Sequence, residues 1–259
     1  MQIAQPYLLF LGDVTDPLAA KTARGIYQWR PEICLGQIRL TPETVSLGLT
    51  DMTLQQAQQQ GAKTLVLGTA NPGGVIPETW QATLLEAAEM GFEIASGMHQ
   101  RLAEFTSLAD LERRGLTKLY DVRHYDAPLK VGNGKAREGK RVLTVGTDCS
   151  VGKMYSALAI EHALKRKNCR AEFKATGQTG ILIAGSGISI DAVVADQRVG
   201  HRHDLPLVGW VRENLLIAGH RSVEAHFAAG RRARAETCSA ENRTVFKGQN
   251  RIHRGQKLR

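Results

Sequence analysis

Four short apolar runs, each leaving through a glycine or a polar turn, constrain this chain more than any other feature: "PYLLFLGD", "KTLVLGTANPGG", "FEIASGMH" and "RVLTVGTDCSVGK". Helical segments separate them. "DPLAAKTARGIYQW" predicts a helix with Asp16 at its N-cap and Pro17 at its first position. "TLQQAQQQGA" is a short helix stopped by Gly61. "PETWQATLLEAAEMG" carries Trp80, Leu84, Leu85 and Ala88 on one face and closes at Gly91, and a helix around Leu108 to Arg114 leads into the strand "KLYDVRHYD". Buried strands alternating with helices of this length predict an α/β fold with a parallel, doubly wound sheet.

The chain of 259 residues is long enough for two modest domains. "DAPLKVGNGKAREGK", residues 126–140, is basic, glycine-rich and without apolar period, which predicts a linker. The expected division is a Rossmann-like domain over 1–125, the linker, a partial phosphate-loop domain over 141–196, and an atypical basic tail over 197–259. The second domain is expected to continue through the strand "AEFKA" and the loop "TGQTGILIAGSGISIDAVVAD". No run approaches the ~18 apolar residues of a membrane span, and the N-terminus lacks the basic lead and cleavage site of a signal peptide. Four cysteines form no CxxC pair and no metal-ligand spacing, so a reducing cytoplasm is expected and no metal site.

Net charge is +9, but residues 1–196 hold 21 Lys+Arg against 20 Asp+Glu, whereas 197–259 hold 13 against 5. The tail's basic residues are 11 Arg to 2 Lys. A nucleic-acid surface seldom sheds lysine in this way, so nucleic acid is not an expected partner. A genuine basic appendage and an out-of-frame or truncated C-terminus compete, and the second is favoured.

The stretch from 141 to 160 reads strand, glycine-bounded loop, helix. Ordinary phosphate loops are G-x-x-x-x-G-K-[ST], with backbone N–H groups and the helix N-terminus turned toward phosphate oxygens. Here Gly146 precedes Thr147, Asp148, Cys149, Ser150 and Val151, and then Gly152-Lys153. The alternative is a tight strand-to-helix turn with a surface lysine. Met154 stands where the magnesium-holding hydroxyl is expected, and a thioether does not coordinate a hard cation, so either Ser150, Thr147 or Asp148 substitutes or no magnesium binds there. Such a cradle suits phosphate binding better than hydrolysis. Lys153 beside Cys149 would lower that thiol's pKa, although a small loop residue is the simpler reading.

"GTDCSVGK" resembles the long phosphate loop of dethiobiotin synthetase-like proteins. More closely, residues 5–196 resemble the two-domain family that includes the DgcN-type D-glutamate N-acetyltransferases. The matching stretches include "GDVTDPLAAKTARGIYQWRPEICLGQIRL", "LGTANPGGVIPETW", "SGMHQRL", "DVRHYDAPLKVGNGK", "LTVGTDCSVGKMYSALA" and "ATGQTGILIAGSGISIDAVVAD". That family also carries Met after the lysine. Beyond Asp196 its pattern runs on to an acidic, glycine-containing turn, and nothing like it follows here. The resemblance implies an acetyl-CoA-dependent N-acetyltransferase of D-amino-acid catabolism, with the loop from Gly146 to Met154 on the cofactor phosphates.

His99, at a strand exit, is the candidate general base, with His124 second; a hydrogen-bonded structural histidine is as good a reading of His99. Asn71 in "GTANPGG", and Arg101 and Arg123, are candidate substrate-binding residues, with Arg24 a further arginine of the same kind. Thr176, Gln178 and Thr179 in "TGQTG" are expected to face the phosphate loop. The expected partner is a small amino acid, and a homo-oligomer stays open. Against the acyltransferase stand an ATP- and magnesium-dependent ligase or kinase like dethiobiotin synthetase, and a nucleotide-binding protein without catalysis.

Overall fold

The computed structural model describes residues 1–124, 139–146 and 151–190, and the backbone of 215–219. The expected linker and basic tail otherwise lie outside the described residues. The chain divides into two compact units, the first containing 1–124 and 173–190, the second 139–146, 151–172 and 215–219.

In the first unit five parallel strands are ordered β2-β1-β3-β4-β5: β1 Tyr7–Phe10, β2 Cys34–Ile38, β3 Thr64–Leu67, β4 Glu93–Ser96 and β5 Leu119–Asp121. The helices are α1 Lys21–Trp29, α2 Leu54–Gln59, α3 Glu78–Glu89 and α4 Thr106–Arg113. All four residues of β1 and of β3 are buried, as central strands covered on both faces require. Trp80 of α3 is fully buried and meets Phe10 edge to face, ring centroids 5.3 Å apart at 81°. Its Nε1 donates to Asp13 Oδ1 at 2.8 Å, so the carboxylate leaving β1 anchors the helix that follows β3.

Two local expectations need correction, and one strand was not anticipated. Asp16 caps a turn rather than α1: its Oδ1 accepts the Leu18 N–H at 2.9 Å, and the helix begins at Lys21. "CLGQI" forms the edge strand β2, hidden in the sequence by Gly36 and Gln37. A Cβ at Gly36 would lie 2.7 Å from Met52 Sδ, so only glycine lets residues 50–52 pass. The fully buried Gln37 amide donates to Ser46 Oγ and Asp51 Oδ1, both at 2.8 Å, and accepts the Leu47 N–H. A buried polar group is thereby satisfied while it ties the 39–52 excursion to the sheet. "AEFKA" makes only a single bridge, Ala175 with Gly187, and within the expected loop "QTGILIA" is the helix α6, Gln178–Ala184.

Residues 173–190 pack in the first unit. Ile181, Leu182 and Ile183 of α6 are buried, the Ile3 N–H donates to Gly185 O at 2.8 Å, and Gln2 bridges Ser186. In the second unit β6 Val142–Gly146 pairs in parallel with β7 Leu215–Gly219, and α5 Lys153–Arg166 follows β6.

Gly12 has φ +59, and a Cβ there would lie 2.3 Å from Trp80 Cε2. Gly12→Ala is expected to cost about 2–4 kcal/mol, from left-handed strain plus overpacking. Gly61 has φ +88 with nothing within 4 Å, so Gly61→Ala should cost only about 1–2 kcal/mol. Urea unfolding of both variants measures the difference.

Candidate functional site

Parallel strands send all their carboxyl ends to one edge, and sheets of this order bind ligands there, in the crevice where the strand order reverses. In the order β2-β1-β3-β4-β5 that point lies between β1 and β3. The loops leaving β3, β4 and β5 carry Thr69 to Gly74, Gly97 to Arg101 and Val122 to His124.

The β3 and β4 loops are clasped through one glycine. Gly74 O accepts the N–H groups of both His99 and Gln100 at 3.0 Å, and Gln100 Oε1 accepts the Ile76 N–H at 2.8 Å. Gly74 has φ +62, and a Cβ there would lie 2.4 Å from His99 Cδ2. The backbone therefore approaches His99 as only glycine allows. On the other side, His124 Nε2 is 2.9 Å from His99 O; a carbonyl only accepts, so that nitrogen carries the proton. His99 is held in place by both neighbouring loops while its ring stays exposed. Burial, then the charges of Arg123 and His124, hold its pKa below the ordinary imidazole value, which leaves a neutral base near pH 7.

Around it, Arg123 Nε donates to Gly97 O at 3.3 Å, and Gln178 packs on the same glycine, where a Cβ would be 3.3 Å from its Cβ. Asn71 Nδ2 donates to Val75 O at 2.7 Å. Asp121, at the end of β5, accepts the Leu102 N–H at 2.8 Å, which orients the residue after Arg101. Burial raises the Asp121 pKa, against the Leu102 N–H and the charges of His124 and Arg101. His99, Asn71, Arg101, Arg123 and Gln178, read separately from the sequence, thus belong to one unit at one edge. Thr176 and Thr179 lie in that unit too, while Arg24 is an exposed residue of α1. Asp121 and the Gly74 clasp were missed. Their signals were present in "DVRHYD" and "NPGG", as a carboxylate at a strand exit and paired glycines beside a candidate base.

In the second unit the flanks of the phosphate loop are in place. Gly152, φ +89, opens α5, and a Cβ at Gly146 would lie 2.5 Å from Val151 Cγ2 and 3.2 Å from Lys153 Cγ. Thr144 Oγ1 donates to Lys153 O at 2.9 Å, tying the strand to the helix start. Met154 is the second residue of α5. Thr147, Asp148, Cys149 and Ser150 lie outside the described residues. Among the described residues no group of three or more His, Cys, Asp or Glu is arranged to hold a metal, and no helix is long and apolar enough to cross a membrane.

Residues 40–125 match the family described as "Domain of unknown function (DUF1611_N) Rossmann-like domain", and residues 130–219 match its companion, "Domain of unknown function (DUF1611_C) P-loop domain". The chain belongs to the DUF1611 family. The second match extends past Asp196, where the likeness was expected to stop, to the end of β7. A protein of this family from Anabaena variabilis, solved by crystallography, superimposes with a TM-score of 0.61 at 27% identity, over 84% of this chain and 66% of that one. Two curated relatives, from Pseudoalteromonas sp and Tritonibacter scottomollicae, are each 50% identical over 76% of this chain, and each bears the name D-glutamate N-acetyltransferase. The chain spans 59% and 60% of their lengths.

Gly74→Ala is expected to push the His99 loop aside by the better part of an ångström. Since misplacement on that scale can cost about 100-fold in rate, turnover should fall by that order while circular dichroism stays unchanged. Steady-state kinetics on the purified variant checks this.

Proposed function

We propose that this protein transfers an acetyl group from acetyl-CoA to the amino group of D-glutamate. The observation that carries the reading is 50% identity to two proteins of that name. It is a reaction of D-amino-acid catabolism and is assigned to the cytoplasm.

The chemistry asks for a neutral base, a carboxylate clamp and a phosphate grip. The amine nitrogen attacks the thioester carbon, the C–N bond forms, the C–S bond breaks, and the amine proton passes through the base to the departing thiolate. His99, uncharged near neutrality and fixed from both sides, suits the base. Arg101 and Arg123 suit the carboxylates of a dicarboxylic amino acid. Backbone N–H groups of the edge loops suit the developing oxyanion. The Gly152 turn and Lys153 suit the pyrophosphate of CoA, which requires no hydrolysis and hence no magnesium ligand at Met154.

Thiol release from acetyl-CoA should depend on D-glutamate and need neither ATP nor magnesium. ADP release that requires both, without thiol release, would establish the ligase or kinase reading instead. His99→Ala is expected to lower kcat about 100- to 10,000-fold. In the parent protein kcat/KM should fall toward acid with a midpoint below the 6.5 of an ordinary histidine, because protonation removes the base. A flat acid limb, or full turnover in His99→Ala, removes His99 from the mechanism.

A further inference from the structure

Polar side chains on the carboxyl edge of the first sheet are mostly satisfied from within. Ser96 Oγ accepts the Met98 N–H, and Gln100, Asp121, Arg123 and His124 have the partners given above. Two atoms differ. Thr69 Oγ1 and Asn71 Oδ1 are shut off from solvent and have no hydrogen-bond partner among the described residues, and Thr69 as a whole is 3% exposed. Both sit on the loop leaving β3, beside the β1–β3 junction where the strand order reverses.

The loop that carries both atoms is fixed to its neighbours. The backbone on either side of Thr69 is pinned to the start of α1: Ala23 N–H donates to Gly68 O at 2.8 Å, and Ala70 N–H to Ala19 O at 2.7 Å. Asn71 cannot reverse its amide, because its Nδ2 already donates to Val75 O at 2.7 Å and reversal would set oxygen against oxygen. Its Oδ1 is therefore only an acceptor, and a partner must bring an N–H. The Thr69 hydroxyl can donate. Buried polar atoms without partners destabilise a fold and are rare in native proteins. A donor-seeking oxygen and a donating hydroxyl, two residues apart at the ligand-binding edge, match the amino and carboxylate groups that an α-amino acid carries on one carbon.

We propose that Thr69 and Asn71 hold the α-amino-acid end of the substrate. Asn71 Oδ1 accepts an N–H from the amino group, which leaves the nitrogen lone pair available, and Thr69 Oγ1 donates to the α-carboxylate. The side-chain carboxylate of glutamate then falls to Arg101 or Arg123. Three points of attachment are the minimum that distinguishes one enantiomer from the other, so this pair together with that arginine sets the stereochemical preference. The assignment rests on the amino-acid acceptor proposed above.

The test is calorimetric titration of the full chain with D-glutamate, L-glutamate, other α-amino acids and glutarate, with and without CoA. Thr69→Val keeps the side-chain shape and removes the hydroxyl; Thr69→Ser keeps the hydroxyl. D-Glutamate affinity should fall about tenfold or more in Thr69→Val and in Asn71→Ala, and stay within about threefold in Thr69→Ser. The Tm of ligand-free Thr69→Val should equal or exceed that of the parent, since the lost hydroxyl had no partner. Glutarate, which lacks the amine, should bind the parent more weakly than D-glutamate, and Asn71→Ala should close that gap. If D-glutamate binds parent, Thr69→Val and Asn71→Ala alike, the pair is an internally hydrated turn: this proposal falls and the acetyltransferase reading stands. If the parent binds a different α-amino acid with the same dependence on Thr69, the pair stands and D-glutamate as acceptor falls. If no amino acid binds the parent under either condition, the pair has no such ligand and the proposal is overturned.

Discussion

Because β1 pairs in parallel with β2 on one side and β3 on the other, the loops leaving β1, β3, β4 and β5 emerge on one edge, and the rest of the first unit follows from that pairing. Every side chain of β1 and β3 is buried, so the edge is set by the core and not by the loops themselves. The loops then fasten to one another. Asp13 leaving β1 holds Trp80 of α3, Gly74 leaving β3 holds the backbone of His99, and His124 leaving β5 holds the carbonyl of His99. His99, on an exposed loop, gains a defined position through two neighbouring loops that are themselves anchored in the sheet.

Much of this was legible from residues alone, and the exceptions share a cause. Strands β1, β3 and β4 are near-continuous apolar runs bounded by glycine, and α3 has an unbroken apolar face, so periodicity found them. β2 was hidden because its glycine and glutamine serve tertiary packing: Gly36 admits residues 50–52, and Gln37 finds its partners up to fourteen residues downstream. Asp16 carries the chemistry of a helix cap but spends it on a turn. α6 was read as loop because its segment is bracketed by glycines, while its stability comes from burying Ile181, Leu182 and Ile183 in the first unit. His99 was visible as a residue at a strand exit, Asn71 in a glycine-rich loop after a strand, and Arg101 and Arg123 as arginines suited to a carboxylate. Their shared edge was not, since it depends on strand order.

The family's two parts ask different things of their glycines and side chains. At the sheet edge the chain supplies a neutral imidazole, arginines and fixed backbone groups, which suit proton transfer and carboxylate recognition. At the start of α5 it supplies a left-handed glycine and a lysine, with a thioether where an oxygen ligand would hold magnesium. Those features favour gripping a phosphorylated carrier over cleaving it. The acyl donor with a pyrophosphate and the acceptor with two carboxylates proposed above fit both descriptions.

The most direct measurement is a crystal structure of the full chain with D-glutamate. The account predicts density for the amino acid at the carboxyl edge of the five-stranded sheet, its nitrogen within hydrogen-bonding distance of Asn71 and open to the His99 ring. Density confined to another surface, with the His99 loop and the loop after β3 unchanged from the ligand-free protein, would contradict it.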